Sequence, residues 1–111
     1  IGDPPHAGLD LVPGRVERLR PADGERVPHV GWNEVRPART GPLFDDCPPS
    51  DLYFVHSFHL RPDDDADIAA TTSYAGGFVS AVSSGSVHGV QFHPEKSQRP
   101  GLALLRRFLA L

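Results

Sequence analysis

Three short strand candidates lie between residues 67 and 92, and only a few turn residues separate them. The segments are 67–74, 78–84 and 87–92. Gly76-Gly77 and Ser84-Gly85 lie in the two gaps and supply the permissive backbone that a tight hairpin turn needs. The spacing therefore predicts an antiparallel meander, in which each strand pairs with the next one along the chain.

The longest apolar run, LYFVHSFHL at 52–60, predicts one further strand. Alternation places Leu52, Phe54, His56, Phe58 and Leu60 on one side of it. Because the other side is also largely apolar, we expect an interior strand that is covered on both faces.

The segment PGLALLRRFLAL at 100–111 predicts a helix. Pro100 suits the first turn, and Leu102, Leu105 and Leu109 form an apolar stripe. Weaker strand candidates lie at 14–20 and 29–36, and 39–51 is predicted to be a loop with at most one helical turn at 42–45.

Composition and charge exclude several classes of function. The formal net charge is −3 and the Lys and Arg residues are scattered, so no basic patch is available for nucleic acid. The single cysteine, Cys47, excludes an intrachain disulfide and a zinc site with several thiolates. No apolar run approaches the ~20 residues that cross a bilayer. We expect a cytoplasmic protein with no cofactor and no metal, although a cation site in the acidic turn at 61–67 is the alternative to simple solvation.

The most informative motif is the His-Pro-Glu of GVQFHPEKSQ, residues 89–98. If the chain stays extended, His93 and Glu95 emerge on the same side, and Pro94 stiffens the bend between them. A carboxylate at one imidazole nitrogen orients the ring and leaves the other nitrogen free to act as a general base. Taken alone, the spacing also fits a surface histidine beside a surface glutamate.

GVQFHPEKSQ and the helix after it resemble the triad-type class I glutamine amidotransferases, in which a Cys-His-Glu triad hydrolyses glutamine. Further stretches resemble one branch of that family, the glutaminase subunits of imidazole glycerol phosphate synthase. They are LDLVPGRVERL (9–19), VPHVGWNEVR (27–36), LYFVHSFHL, TTSYAGGFVSAV (71–82) and the EKSQ of 95–98. The resemblance implies an α/β three-layer amidotransferase-like fold. In it, residues 1–111 form the strand-rich C-terminal half of a single domain, with mixed or antiparallel strands and a C-terminal helix.

The resemblance also implies an activity and a set of functional residues. The family splits glutamine into glutamate and ammonia, and the ammonia passes to a (β/α)₈-barrel cyclase subunit, the partner in a heterodimer of histidine biosynthesis. His93 would be the general base and Glu95 its orienting carboxylate. Substrate-binding roles fall on His56, Ser57 and Phe58, and partner contacts on Trp32, Asn33, Lys96 and Ser97. Position 58 is more often tyrosine in the family, and His29, His59 and His88 are assigned to structure or solvent.

The nucleophile of the triad is missing from the sequence. No Gly-x-Cys-x-Gly pattern occurs, and Cys47 lies in DDCPP, where carboxylates disfavour a thiolate and prolines remove N–H donors. We therefore expect the nucleophile to lie N-terminal to this chain, and the chain alone to be inactive. The alternatives are another triad-type amidotransferase and a non-catalytic remnant that only docks to a synthase partner.

Overall fold

The described part of the chain forms two antiparallel sheets and a helix. This computed structural model describes residues 8–38, 43–44 and 47–111, and the turn predicted at 42–45 lies mostly outside these ranges. The strands are β1 (Gly14–Arg18), β2 (His29–Pro37), β3 (Ser50–His56), β4 (Phe58–Pro62), β5 (Ile68–Thr72), β6 (Phe78–Ser84) and β7 (Val87–Val90). The order β3-β2-β5-β6-β7 makes one sheet, and β1 pairs with β4 in the other. The helix, α1 (Gln98–Leu109), follows a 3₁₀ turn at Pro94–Lys96.

The predicted meander is confirmed. β5, β6 and β7 pair in sequence order, and every pairing is antiparallel. In the first connection Ala75, Gly76 and Gly77 all have positive φ, at 53°, 81° and 97°. Two consecutive glycines make this left-handed turn inexpensive, because glycine has no Cβ to clash with the backbone.

The single strand predicted at 52–60 is wrong, because the chain breaks at Ser57. β3 ends at His56 and belongs to the five-stranded sheet, whereas β4 begins at Phe58 and belongs to the two-stranded sheet. The expected cover on both faces is also absent from the described part of the chain, where Val55 is 42% exposed. One face of β3 therefore supplies the core and the other faces outward.

The core lies between the inner face of the larger sheet and α1. Phe54 of β3 is completely buried, and Leu104 of α1 packs into the same cluster. The predicted helix is confirmed, but its leucine stripe does not face this core, since Leu102 and Leu109 are exposed while Gly101 and Leu104 are buried. Within the described residues, no helix is long and apolar enough to cross a membrane.

Candidate active site

The chain bends sharply after β7 and carries His93 to the edge of β3. The N–H of Gln91 donates to the carbonyl of Ser80 at 2.9 Å, so pairing with β6 continues to that point. Phe92 then enters the core and is only 3% exposed. The N–H of His93 donates to the carbonyl of Tyr53 at 2.9 Å. The buried ring of Phe92 and this backbone bond hold the main chain of His93 in place, and with it the point from which the imidazole extends.

His93 and Glu95 form a side-chain pair at the surface. Nδ1 of His93 lies 3.1 Å from Oε2 of Glu95, and the two side chains are 37% and 59% exposed. The pKa of Glu95 lies below its usual value, because its own backbone N–H donates to the carboxylate and because His93 bonds to it. An acceptor at Nδ1 holds a proton there and leaves Nε2 as the basic nitrogen. The pair can therefore accept a proton at Nε2.

Ser97 fastens this turn to β3. Its Oγ accepts from the N–H of Tyr53 at 2.9 Å, and its hydroxyl donates to the carbonyl of His93 at 2.6 Å. Both backbone groups of Tyr53 are thus bonded to the turn. Ser97 is 0% exposed. The prediction that its side chain points outward to a partner is therefore wrong, because the hydroxyl is used inside the chain.

The residues predicted to contact glutamine form a corner between β3 and β4, named here the His56–Phe58 corner. His56 is buried, and its Nδ1 donates to the carbonyl of Phe58 at 2.8 Å. The carbonyl of Ser57 accepts from the N–H of Leu19 at 2.9 Å. His93 joins β3 at Tyr53, so three residues of strand, roughly 10 Å, separate it from the corner.

The predicted partner residues do not share one surface. Trp32 is 51% exposed and meets Tyr53 edge to face, with ring centroids 5.6 Å apart. The Lys96 ammonium lies 5.9 Å from the centroid of the Tyr53 ring. Asn33 points to the opposite face of β2, where its Nδ2 donates to Nε2 of His29 at 3.3 Å. The Asn33 amide is thus bonded within the chain on the face away from Trp32, and its contact with a partner stays a prediction.

The sequence predicted no role for Tyr53 in the site, and it assigned His29 only to structure or solvent. Alternation along 52–60 does put Tyr53 on the face away from Phe54, but its contact with Trp32 depends on the register between β2 and β3. The same register pairs His29 with His56. Neither pairing is visible without knowing which strands are neighbours.

Cys47 lines a cavity whose lining residues include neither His93 nor Glu95. It packs against the core, and the cavity, of about 150 Å³, is also lined by Leu52 and Leu104. In the ranges that the structure describes, no three His, Cys, Asp or Glu side chains gather in a way that could hold a metal ion.

Comparison with known proteins identifies similar sequences. The chain is 50% identical over 103 residues to a protein of Moorella thermoacetica named imidazole glycerol phosphate synthase subunit HisH, covering 92% of this chain and 48% of that protein. It is 46% identical over 111 residues to the protein of that name from Natronomonas pharaonis, covering 98% and 51%. It is also 44% identical over 107 residues to the chloroplastic imidazole glycerol phosphate synthase hisHF of Arabidopsis thaliana, covering 95% and 18%. The chain thus spans about half the length of the HisH relatives.

A solved structure supports the fold. The crystal structure of a protein from Thermoplasma acidophilum, described as a GMP synthase component, matches 87% of this chain and 47% of its own, with a TM-score of 0.67 and 18% identity. The predicted fold class, a strand-rich part of an α/β amidotransferase-like fold with a helix after the last strand, is confirmed. The family model of the class-I glutamine amidotransferases matches residues 12–111. With the His-Pro-Glu turn, the fold and this match in agreement, the chain belongs to the class-I glutamine amidotransferase family.

Proposed function

We propose that this chain is part of the glutaminase of an imidazole glycerol phosphate synthase. The observation that carries the proposal is the His93–Glu95 pair, 3.1 Å apart, on a turn that is hydrogen-bonded to β3. Identity of 46–50% to two HisH subunits supports the assignment within the family. Because the chain spans about half the length of those relatives, residues 1–111 would form one part of a single amidotransferase domain. The complete protein would act in the cytoplasm.

The proposed reaction converts glutamine and water into glutamate and ammonia. Nε2 of His93 accepts the proton of a cysteine thiol, the thiolate attacks the amide carbon, and the same proton leaves with ammonia. A thioester remains. His93 then removes a proton from water, which adds to the thioester and releases glutamate and the thiol. Glu95 holds the imidazole in one orientation and stabilises its charged form throughout.

The thiol in this scheme is not Cys47. Cys47 packs against the core in the cavity with Leu52 and Leu104, whereas His93 lies on the turn at the edge of β3. The proposal therefore places the nucleophile in the part of the domain outside this chain. Glutamine would bind near the His56–Phe58 corner, where Phe58 is 50% exposed and offers a ring face without a hydroxyl.

The proposed partner is a cyclase subunit that consumes the ammonia, namely a (β/α)₈ barrel. The outer face of β2 and β3 supports this part of the proposal, because Trp32, Tyr53 and Lys96 lie together there, next to the His-Pro-Glu turn. A partner docked on this face would lie beside His93. The interface would therefore adjoin the site at which ammonia forms.

Glutamine hydrolysis by the complete enzyme tests the assignment. We expect Glu95→Gln to lower kcat by about 10²-fold, because the neutral amide orients the imidazole without stabilising its charge. Cys47→Ala is the matched control and should leave kcat unchanged. The 111-residue chain alone should show no turnover. Full activity of Glu95→Gln, or an activity that Cys47→Ala abolishes, would contradict the proposal.

A further inference from the structure

Two buried imidazoles face each other on the inner face of the larger sheet. Nδ1 of His29 lies 2.9 Å from Nε2 of His56, and the two residues are only 3% and 8% exposed. Tyr74 stacks on the His29 ring at a centroid distance of 3.9 Å, and Phe54 stacks at 4.9 Å. Aromatic rings therefore shield the contact from solvent, and a hydrogen bond here is difficult to replace with one to water.

The His29–His56 contact is part of a row of hydrogen bonds that runs from the side chain of Asn33 to the carbonyl of Phe58. Backbone groups at both ends of this row determine which atoms donate and which accept. At one end, the N–H of Glu34 donates to Oδ1 of Asn33 at 2.8 Å, so the amide that faces Nε2 of His29 is the NH₂ group. At the other end, the carbonyl of Phe58 can only accept, so Nδ1 of His56 carries a proton.

The two ends of the row determine the tautomers of His56 and His29 between them. With Nδ1 protonated, neutral His56 presents a bare Nε2, and His29 must donate to it from Nδ1. His29 then presents a bare Nε2 to the NH₂ group of Asn33. Every donor meets an acceptor from Asn33 to Phe58, and this holds only while both imidazoles are neutral.

We propose that His29 is a positioning residue, which fixes the ring of His56 and, through it, the backbone of the His56–Phe58 corner. The inference rests on the proposed function in so far as the corner borders the glutamine site. Without the His29 donor, Nε2 of His56 would be a buried acceptor with no partner. Rotation of the His56 ring to find one would break its bond to the Phe58 carbonyl, and Ser57 and Phe58 would shift.

The groups around the pair favour its neutral form. The pKa of His29 is lowered to about 4, first by burial and then by His56, while the carboxylate of Glu25 acts in the opposite direction. The pKa of His56 is also lowered, first by burial, although its bond to the Phe58 carbonyl opposes this and nearby His59 adds to it. The remaining ring neighbours of His29 in the described part of the chain are Tyr74, Phe54 and Phe78, whose aromatic rings pack against the imidazole.

Imidazole ¹⁵N NMR spectra of the complete protein at neutral pH test the tautomers of His29 and His56 directly. This measurement does not depend on glutaminase activity. We expect both His29 and His56 in the Nδ1–H tautomer, which is the less common form of a free imidazole. His88 provides an internal comparison, since its Nδ1 faces a serine hydroxyl that can donate or accept. An Nε2–H tautomer or a charged ring at either His29 or His56 would overturn the proposal.

Steady-state kinetics of two substitutions then separate the effect of losing the hydrogen-bond donor of His29 from the effect of losing its aromatic ring. His29→Phe keeps an aromatic ring but loses the donor, and we expect KM for glutamine to rise roughly tenfold with a smaller change in kcat. His29→Asn keeps a donor near the position of Nδ1 and should recover most of that loss. His88→Phe is the matched control and should leave KM unchanged.

The outcomes separate this inference from the proposed function. Absence of glutamine turnover in the unaltered complete enzyme would refute the proposed function and leave the tautomer test intact. With turnover present, an unchanged KM in His29→Phe would refute the positioning role. An equal rise in both substitutions would also refute it, because packing of the ring would then explain the effect.

Discussion

At the scale of single residues, the buried His29–His56 pair links protonation to stability. The folded-state pKa of His29 is about 4, against 6.5 for an unperturbed histidine, and the pKa of His56 moves in the same direction. The unfolded chain therefore binds more protons than the folded chain between pH 6.5 and 4. The stability that depends on neutral His29 is fully present above pH 6.5 and is lost as the pH falls toward 4.

We predict that His29→Phe flattens the acid side of the stability profile. In the unaltered protein, His29 should account for a loss on the order of 1–3 kcal/mol in the free energy of unfolding between pH 7 and pH 4. Urea denaturation of the complete protein at several pH values measures this. His88→Phe should keep the original slope. A slope unchanged by His29→Phe would show that the proton uptake occurs elsewhere.

At the scale of elements, the His-Pro-Glu turn depends on its attachment to β3. Ser97 accepts from Tyr53 and donates to His93, and it does so with no solvent exposure. The following helix packs equally closely: a Cβ on Gly101 would collide with the carbonyl of Pro94 and approach Cβ of Ser97 to 2.8 Å. The turn is thus held between a strand edge and the first turn of α1, and a side chain at position 101 would push it out of place.

We predict that Ser97→Ala destabilises the protein by about 1–3 kcal/mol, because it leaves the N–H of Tyr53 without its partner. The carbonyl of His93 loses the bond from the hydroxyl and keeps the bond from the N–H of Lys96 at 3.0 Å. The substitution should also lower kcat, since the Ser97 hydroxyl is the group that ties both the carbonyl of His93 and the N–H of Tyr53 to the same side chain. Chemical denaturation and glutaminase kinetics measure the two effects. Ser86→Ala, at an exposed turn, serves as the control and should change neither. Unaltered stability in Ser97→Ala would show that water or a neighbouring group replaces the hydroxyl.

Local patterns in the sequence predict elements well where turn residues mark both ends of a segment. β6 has the predicted bounds, because it lies between a Gly-Gly turn and a Ser-Gly turn. Patterns fail where a tertiary contact decides. The break at Ser57 coincides with the bond from His56 to the Phe58 carbonyl and with the pairing of β4 to β1, and hydropathy encodes neither. In the site, resemblance supplied His93 and Glu95, but the burial of Ser97 depends on its bond to Tyr53, a residue 44 positions away.

At the scale of the whole molecule, the larger sheet has two unlike faces. Its inner face is closed by the core, whereas the outer face of β2 and β3 carries a contiguous apolar surface. Val30 pairs across the strands with Val55, and Trp32 pairs with Tyr53. Val30 is 56% exposed, Trp32 51% and Val55 42%. An exposed apolar surface of this kind, with Lys96 at its edge, is typical of a protein–protein interface.

We predict that Trp32→Ala weakens binding of the complete glutaminase to the cyclase subunit by at least about tenfold, because a large aromatic side chain at the centre of an interface contributes most per residue. Lys96→Ala should have a smaller effect at physiological salt, since an exposed charge contributes little. Titration calorimetry of the two subunits gives both dissociation constants. Val16→Ala tests an apolar residue on the smaller sheet that is even more exposed, at 66%, and it should bind like the unaltered protein. If Trp32→Ala and Val16→Ala bind alike, the outer face of β2 and β3 is not the docking surface.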